Sequence, residues 1–227
     1  MVSPSLKAPE LITGMRLELD EFIARWEALP DLKFAELIDG IVFVPPPRSI
    51  EHGQRASILN WWLFLYVEDK RGCDALSNVT CTMLGQSPQP DVLLRLTEEF
   101  GGKSIDKGYL LDGAPELVVD ICETSTEIEF GPKLALYQRA GVREYITIQT
   151  LPPPRIVWRV LVDGSYREIQ PDGQGILRSQ CFPGLWLDTE ALWAGDRKRM
   201  RDTLNAGLDS PAHREFAERL TKRRIGA

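Results

Sequence analysis

The chain has 227 residues, 43% of them apolar, which is enough for one fairly large domain with a packed core. Its net charge of -6 argues against a broadly cationic surface for tight nonspecific binding of nucleic acid, although a local basic cleft stays open. The four cysteines form no CxxC pair and the two histidines lie far apart, so neither a disulfide framework nor a zinc site is indicated.

Nothing in the sequence indicates a membrane or an export route. The N-terminal segment lacks the basic start and the continuous apolar stretch of a signal peptide. No run approaches the roughly 20 apolar residues of a membrane span. We therefore expect a cytoplasmic protein with reduced thiols and no membrane partner.

The first half of the chain begins with a helix predicted over 20–29. Alternating apolar residues around Asp39-Gly40 predict two short strands joined by a tight turn, and the prolines at 45–47 end the second strand. Apolar residues at helical spacing then predict a helix over 53–69. A β-hairpin therefore precedes the first long helix.

The second half alternates strands with one helix. A proline at the start and Gly141 at the end delimit a helix over 132–140. Strand-like runs are predicted at 74–84, 91–96, 116–122, in "REYITIQ" and "RIVWRVLV", and after the turn "DGSY". This order predicts an α/β fold with a mixed β-sheet flanked by helices.

A charged segment follows the β-rich part. From about residue 189 the pattern is helical, and "DRKRMRD" and "TKRR" make it locally basic. We divide the chain into a domain over 1–194 and a charged helical tail over 195–227. We expect the tail to be one helix peripheral to the core, since apolar positions are few there.

Two acidic residues belong to apolar strands. Asp91 starts "DVLLRL" after a proline, and Asp120 interrupts the run "LVVDIC", where a buried carboxylate costs several kcal/mol unless it is compensated. With Lys133, which begins the next helix, they form a set that can hold a divalent cation and position a water for phosphodiester hydrolysis. Glu36 on the hairpin is a candidate third carboxylate. We predict that the carboxyl groups of Asp91 and Asp120 converge at one sheet edge.

Each of these residues also has an ordinary role. An aspartate after proline is commonly part of a turn, and a lysine in the first turn of a helix is commonly solvated. We expect Glu123 to face outward, and His52 to lie at a helix start or at the edge of the site. Asp120 is the strongest single candidate, because a polar group inside an apolar strand needs a partner.

The segments "FAELIDGIVFVPPPRSIEHG", "QPDVLL", "APELVVDICETST" and "KLALYQRAGVREYI" resemble, in order and spacing, the Uma2 family of bacterial proteins described as restriction endonucleases with the PD-(D/E)XK fold. The resemblance covers roughly 15–190. It implies a restriction-endonuclease-like core, Mg²⁺- or Mn²⁺-dependent cleavage of DNA, and a homodimer. By position it implies that Asp91, Asp120 and Glu36 are metal ligands and that Lys133 is catalytic. His52 falls where the family has a histidine.

The chain departs from this family at two positions. Asp120 stands where most relatives have glutamate, and Glu123 stands where they have serine. Cys122 occupies the place of the signature lysine of the wider fold, so the chemistry must use Lys133 or do without a lysine.

Three functions therefore remain open. The first is a metal-dependent DNA endonuclease, for which Lys133→Met should abolish cleavage and leave folding largely intact. The second is a catalytically degenerate nuclease fold that serves as a binding or dimerisation module. A small-molecule phosphoesterase ranks last, because no phosphate-binding glycine loop or Ser-His pattern is present. No recognition helix or aromatic-basic stacking platform is evident.

Overall fold

The computed structural model of the chain describes residues 10–123 and 127–222. Its helices are α1 (Leu19–Glu27), α2 (Ile50–Val67), α3 (Glu127–Phe130), α4 (Pro132–Ala140), α5 (Thr189–Ala194), α6 (Arg197–Leu208) and α7 (Pro211–Lys222). Its strands are β1 (Glu36–Ile38), β2 (Ile41–Phe43), β3 (Cys73–Ser77), β4 (Cys81–Thr82), β5 (Val92–Leu96), β6 (Ile105–Asp106), β7 (Leu111–Asp112), β8 (Leu117–Cys122), β9 (Glu144–Gln149), β10 (Arg155–Val162), β11 (Ser165–Ile169), β12 (Ile176–Arg178) and β13 (Trp186–Asp188). Within these two ranges, no helix is both long and apolar enough to cross a bilayer.

A six-stranded sheet with the order β11-β10-β9-β8-β5-β3 forms the centre of the molecule. Strands β8 and β9 pair in parallel, and the other neighbours pair antiparallel. Parallel neighbours need a crossover connection, which α4 supplies. Pro132 lies in the first turn of α4, and Gly141 ends the helix with a φ of 84°. The predicted mixed α/β fold is confirmed.

Successive side chains of β8 point to opposite faces of this sheet. Val119 and Ile121 join the core under α2, where Trp62 is fully buried. Val118 joins a second core under α4 with Leu136. The alternation therefore puts Asp120 on the α4 face, in a strand that is buried along its whole length.

The predicted hairpin is formed by β1 and β2. Asp39 and Gly40 turn the chain with positive φ angles of 51° and 70°, as a tight two-residue hairpin turn requires. The amide of Leu37 donates to the carbonyl of Ser87 at 3.0 Å, and the amide of Ser87 donates back to Leu37 at 2.9 Å. This pairing ties the hairpin to the segment before Asp91 and fixes the position of Glu36.

The C-terminal segment differs from the single peripheral helix that we expected. It forms α5, α6 and α7, and their apolar residues belong to the main core with α2. The buried members from α6 and α7 are Met200, Leu204, Phe216 and Leu220. Gly207 of α6 packs against the backbone of Gly184, where an added Cβ would lie 2.2 Å from the Gly184 carbonyl oxygen. The expectation of a peripheral tail was wrong, because spaced apolar residues in a highly charged segment are sufficient to bury two helix faces.

Two small sheets were not predicted. Strands β4, β7 and β6 form one, and β12 and β13 form the other. Several of these strands have only two residues, which is too short for an alternation of apolar and polar positions to be recognised.

Candidate active site

Asp91 lies just before β5, where Pro90 precedes it and the apolar strand begins. Its side chain is buried, with about 5% exposed, and its Oδ2 accepts a hydrogen bond of 2.7 Å from the amide of Ile121 on β8. Its Oδ1 lies 3.1 Å from Nε2 of His52 and 3.5 Å from the guanidinium of Arg48. Asp91 is therefore part of the site and not a simple turn residue.

His52 and Glu123 complete this first group of side chains. Ser49 caps α2 by accepting a hydrogen bond of 3.0 Å from the amide of His52, which fixes the histidine in the first helical turn. Nδ1 of His52 lies 3.5 Å from Oε2 of Glu123. The hydroxyl of Ser49 donates to the same carboxylate. The expectation that Glu123 faces outward was wrong, because it closes the group around His52.

Asp120 belongs to a second group, on the α4 face of the sheet. Nζ of Lys133 donates to Oδ1 of Asp120 at 3.0 Å and lies 2.9 Å from Oε1 of Glu36. The hydroxyl of Tyr145 on β9 donates to Oδ2 of Asp120 at 2.9 Å. The amide of Gln89 donates to Oε1 of Glu36 at 2.7 Å. A buried cation thus compensates Asp120, as the sequence required.

The sequence grouped Lys133 with both Asp91 and Asp120, and the structure confirms only its contact with Asp120 among these two. The helix places its ammonium beside Asp120 as predicted, and the side chain is only 3% exposed. Its second carboxylate partner is Glu36, however, and not Asp91. The hairpin brings Glu36 closer to Lys133 than the sequence indicated.

The two groups meet between β5 and β8. The antiparallel register of β5 and β8 ends at the pair Val92 and Val119, so Asp91 and Asp120 are the residues that follow this last pair on the two segments. The hydrogen bond from the amide of Ile121 to Asp91 ties the two positions together. The charge of Asp91 contributes to the raised pKa of Asp120.

Burial and charge act in opposite directions on the ionisable groups. Burial raises the pKa of the Asp120 carboxyl, and Lys133 only partly offsets this effect because Asp91 and Glu36 add negative charge. Burial also opposes the charge on Lys133, but Asp120 and Glu36 outweigh it and raise the pKa of the lysine well above its usual value. For Asp91, contact with His52 and the charge of Arg48 outweigh burial and lower the pKa.

Tyr145 and Glu129 were missed by the sequence analysis. Tyr145 alternates with apolar residues in β9, so its pattern is that of a core residue. Glu129 belongs to the short helix α3, and burial raises its pKa to about 7. Cys122 is buried and burial raises the pKa of its thiol, so it stays neutral and cannot replace a lysine.

The described side chains leave several polar atoms without a hydrogen-bond partner. At the site these atoms are Oδ1 of Asp91, Nδ1 of His52 and Oε2 of Glu129, all buried. Carboxylate oxygens are the ligands that Mg²⁺ prefers, so Oδ1 of Asp91 fits a metal. Both oxygens of Asp120 already have partners. Within residues 10–123 and 127–222, no three Asp, Glu, His or Cys side chains are grouped as a complete metal site.

Comparison with known proteins agrees with this architecture. A crystal structure of a protein described as a putative nuclease belonging to DUF820, from Anabaena variabilis, superposes with a TM-score of 0.62 at 15% sequence identity. The superposition covers 78% of this chain and 98% of the other. No curated protein sequence matches the chain. The family model Uma2, described as putative restriction endonuclease, matches residues 19–190. This match spans most of the chain, which therefore belongs to the Uma2 family.

Proposed function

We propose that the chain is a metal-dependent endonuclease that hydrolyses phosphodiester bonds of DNA. One observation carries the proposal: the buried carboxylate of Asp91, just before β5, accepts a hydrogen bond from β8 at the residue after buried Asp120, and a buried lysine contacts Asp120. Burying these charges is costly, and around them several ionisable groups are concentrated rather than a full set of neutral donors. The family description points in the same direction.

Asp91 and Asp120 would hold Mg²⁺ or Mn²⁺. Mg²⁺ is commonly bound by one or two protein carboxylates, with waters and substrate phosphates as the other ligands, so an incomplete protein site suits it. The bound ion would stabilise negative charge on the phosphate and on the leaving oxygen. Oδ1 of Asp91 would have to exchange its contacts with His52 and Arg48, at 3.1 and 3.5 Å, for the ion; neither contact is a well-formed hydrogen bond. Glu36, as a third ligand, would have to exchange its contact with Lys133.

The residues of the chain have distinct tasks in this proposal. Lys133 keeps its proton near neutral pH and orients the attacking water or stabilises the charge that develops on the phosphate. Tyr145 holds Asp120 through its hydroxyl. The amide of Ile121 donates to Oδ2 of Asp91, so that Oδ1 faces His52 and Arg48.

The alternative is a catalytically degenerate nuclease fold that acts as a binding or dimerisation module. It is favoured by Cys122 at the place of the signature lysine and by the incomplete ligand set among the described residues. Lys133 argues against it, since the ammonium reaches Asp120 from the neighbouring helix. The homodimer remains a prediction in both cases.

Cleavage of DNA by the purified protein tests the proposal. Plasmid and single-stranded DNA are incubated with Mg²⁺, with Mn²⁺ and with EDTA. We expect cleavage only with metal, and its loss in Asp91→Ala. Asp163→Ala, at a position 89% exposed on the far edge of the sheet, is the matched control and should cleave normally. Binding of DNA without any cleavage would favour the degenerate module.

A further inference from the structure

A separate cavity of about 970 Å³ lies between α2 and the α5–α6 segment. It does not include the acidic residues of the site. Five of its lining residues define what we call the arginine–tryptophan groove: Arg55, Trp61, Trp193, Arg197 and Arg201. Sequence analysis did not identify this groove, because Arg55 and Trp61 are more than 130 positions from the other three residues.

The groove is cationic on an acidic protein. Its three arginines face the cavity, and its described lining contains no carboxylate. Of the nearby acidic residues, Glu51 lies 3.7 Å from Arg55 at the rim of the groove. The others are engaged outside it, since Asp202 pairs with Lys198, and Asp188 and Glu190 pair with Arg199. Arg197 and Arg201 are exposed and form no ion pair with a described side chain. Their charge favours an anionic ligand.

The two indoles add flat aromatic surface to this charge. Trp61 and Trp193 are both half-buried, so each ring keeps an exposed part. The guanidinium of Arg201 lies 5.4 Å from the Trp61 ring, and that of Arg55 lies 4.9 Å from the Trp193 ring. Arg55 is fixed by donating to the carbonyls of Leu192 and Trp193. Aromatic rings beside arginines are typical of surfaces that stack unpaired bases and bind phosphates.

The groove and the acidic site share the first turn of α2. Gly53 lines the groove, whereas the preceding His52 contacts Asp91. Arg48, at 3.5 Å from Asp91, continues the positive charge toward the carboxylates. The groove therefore adjoins, along the first turn of α2, the residues that surround Asp91.

We propose that the arginine–tryptophan groove binds a single strand of the nucleic-acid substrate. Phosphates bind Arg197 and Arg201, and an unpaired base stacks on Trp61. This inference rests on the proposed nuclease function for the identity of the ligand, but its binding step needs no metal and no cleavage.

Fluorescence anisotropy of labelled single-stranded DNA in EDTA tests the groove. Removing both arginines in the double variant Arg197→Ala/Arg201→Ala should raise the Kd about tenfold and lower the slope of log Kd against log salt by about 0.7 for each lost phosphate contact. Trp61→Ala should raise the Kd about tenfold, and Trp61→Phe should restore most of the affinity, because a smaller ring still stacks. Arg167→Ala, at an exposed arginine of β11 outside the groove, should change nothing. Thermal unfolding shows whether Trp61→Ala remains folded.

Two results would overturn the inference. One is an unchanged Kd in both the double arginine variant and folded Trp61→Ala. The other is a change of sedimentation mass in the arginine variants without a change in strand affinity, which would make the groove a contact between copies of the chain. Strand binding that depends on the groove, without cleavage in Mg²⁺ or Mn²⁺, contradicts the proposed function alone. Cleavage with groove-independent binding contradicts this inference alone.

Discussion

Two buried carboxylates of the central sheet, Glu144 and Asp120, have different surroundings. Glu144 begins β9, and its two oxygens accept four hydrogen bonds from neutral donors: the amides of Gln180 and Cys181 at 2.6 and 2.9 Å, the Ser179 hydroxyl at 2.8 Å and the Trp158 indole at 3.1 Å. Asp120 lies toward the other end of β8 and contacts a lysine and a tyrosine, with Asp91 and Glu36 nearby.

Burial raises the pKa of both carboxyl groups, so burial does not distinguish them. The distinction lies in what surrounds them. Every oxygen of Glu144 has its donors, which is typical of a structural group that ties two segments together. Around Asp120 and Asp91 several charges are concentrated, and buried polar atoms among the described residues lack partners. Such a concentration of charge is typical of a functional site.

The largest expected effect is that of removing Lys133, the buried cation beside Asp120 and Glu36. Lys133→Met should lower the free energy of unfolding by about 3–5 kcal/mol near neutral pH, because Asp120 and Glu36 would remain buried without their cation. Metal-dependent cleavage should also be lost. Urea unfolding and plasmid cleavage measure the two effects. Lys33→Met, at an exposed lysine, is the control, and equal stability of the two variants would show that Lys133 is not paired as described.

The second effect concerns Glu144. Glu144→Gln should reduce the free energy of unfolding by about 3 kcal/mol, because the NH₂ of the new side chain cannot accept the hydrogen bonds that the carboxylate accepts. Cleavage per folded molecule should be unchanged. Urea unfolding with Glu218→Gln as an exposed control checks the first effect, and plasmid cleavage checks the second. Loss of cleavage in folded Glu144→Gln would show that Glu144, like Asp120, takes part in catalysis, and would contradict its structural role.

The C-terminal helix α6 packs against β13 and α2. Gly207→Ala would place a Cβ 2.2 Å from the carbonyl oxygen of Gly184, so the backbone must shift, at about 2 kcal/mol. Asn205→Ala on the exposed face of α6 should have little effect. Thermal unfolding compares the two variants. An equal melting temperature would mean that α6 does not pack closely on the core.

The last of these effects appears only when the pH is changed. Because burial raises the pKa of Glu129 from 4.5 to about 7, the folded chain holds this proton to a higher pH than the unfolded chain. Stability therefore falls as pH rises through this window, and Glu129→Gln removes that loss. Relative to the variant, the wild-type chain should lose about 3 kcal/mol across the window. Urea unfolding of both proteins below and above this pH window measures the difference. A wild-type chain that gained stability relative to Glu129→Gln as the pH rose would contradict the prediction.

Much of the site could be predicted because its residues interrupt local patterns. Asp120 breaks an apolar strand, and Lys133 follows Pro132 at the start of a delimited helix, so both were found without tertiary information. The helix pattern also placed Lys133 beside Asp120. The sequence did not show how deeply Lys133 is buried, so the expectation that Lys133→Met leaves folding intact is replaced by a predicted loss of stability.

The remaining features depend on contacts between distant segments. Tyr145 and Glu123 have ordinary positions in their own segments, and only the pairing of β8 with β9 and the approach of α2 give them their partners. In α6 and α7 the four-residue spacing of Met200 with Leu204, and of Phe216 with Leu220, was a usable signal, but the surrounding charges concealed it.

Binding of Mn²⁺, followed by electron paramagnetic resonance, tests the central claim that Asp91 and Asp120 hold a catalytic metal. Wild-type protein, Asp120→Asn and Glu144→Gln are titrated under the same conditions, after urea unfolding has shown that each is folded. The account predicts that the wild-type chain and Glu144→Gln bind the ion and that Asp120→Asn loses it. Absence of binding by the wild-type chain, or equal binding by Asp120→Asn, would contradict it.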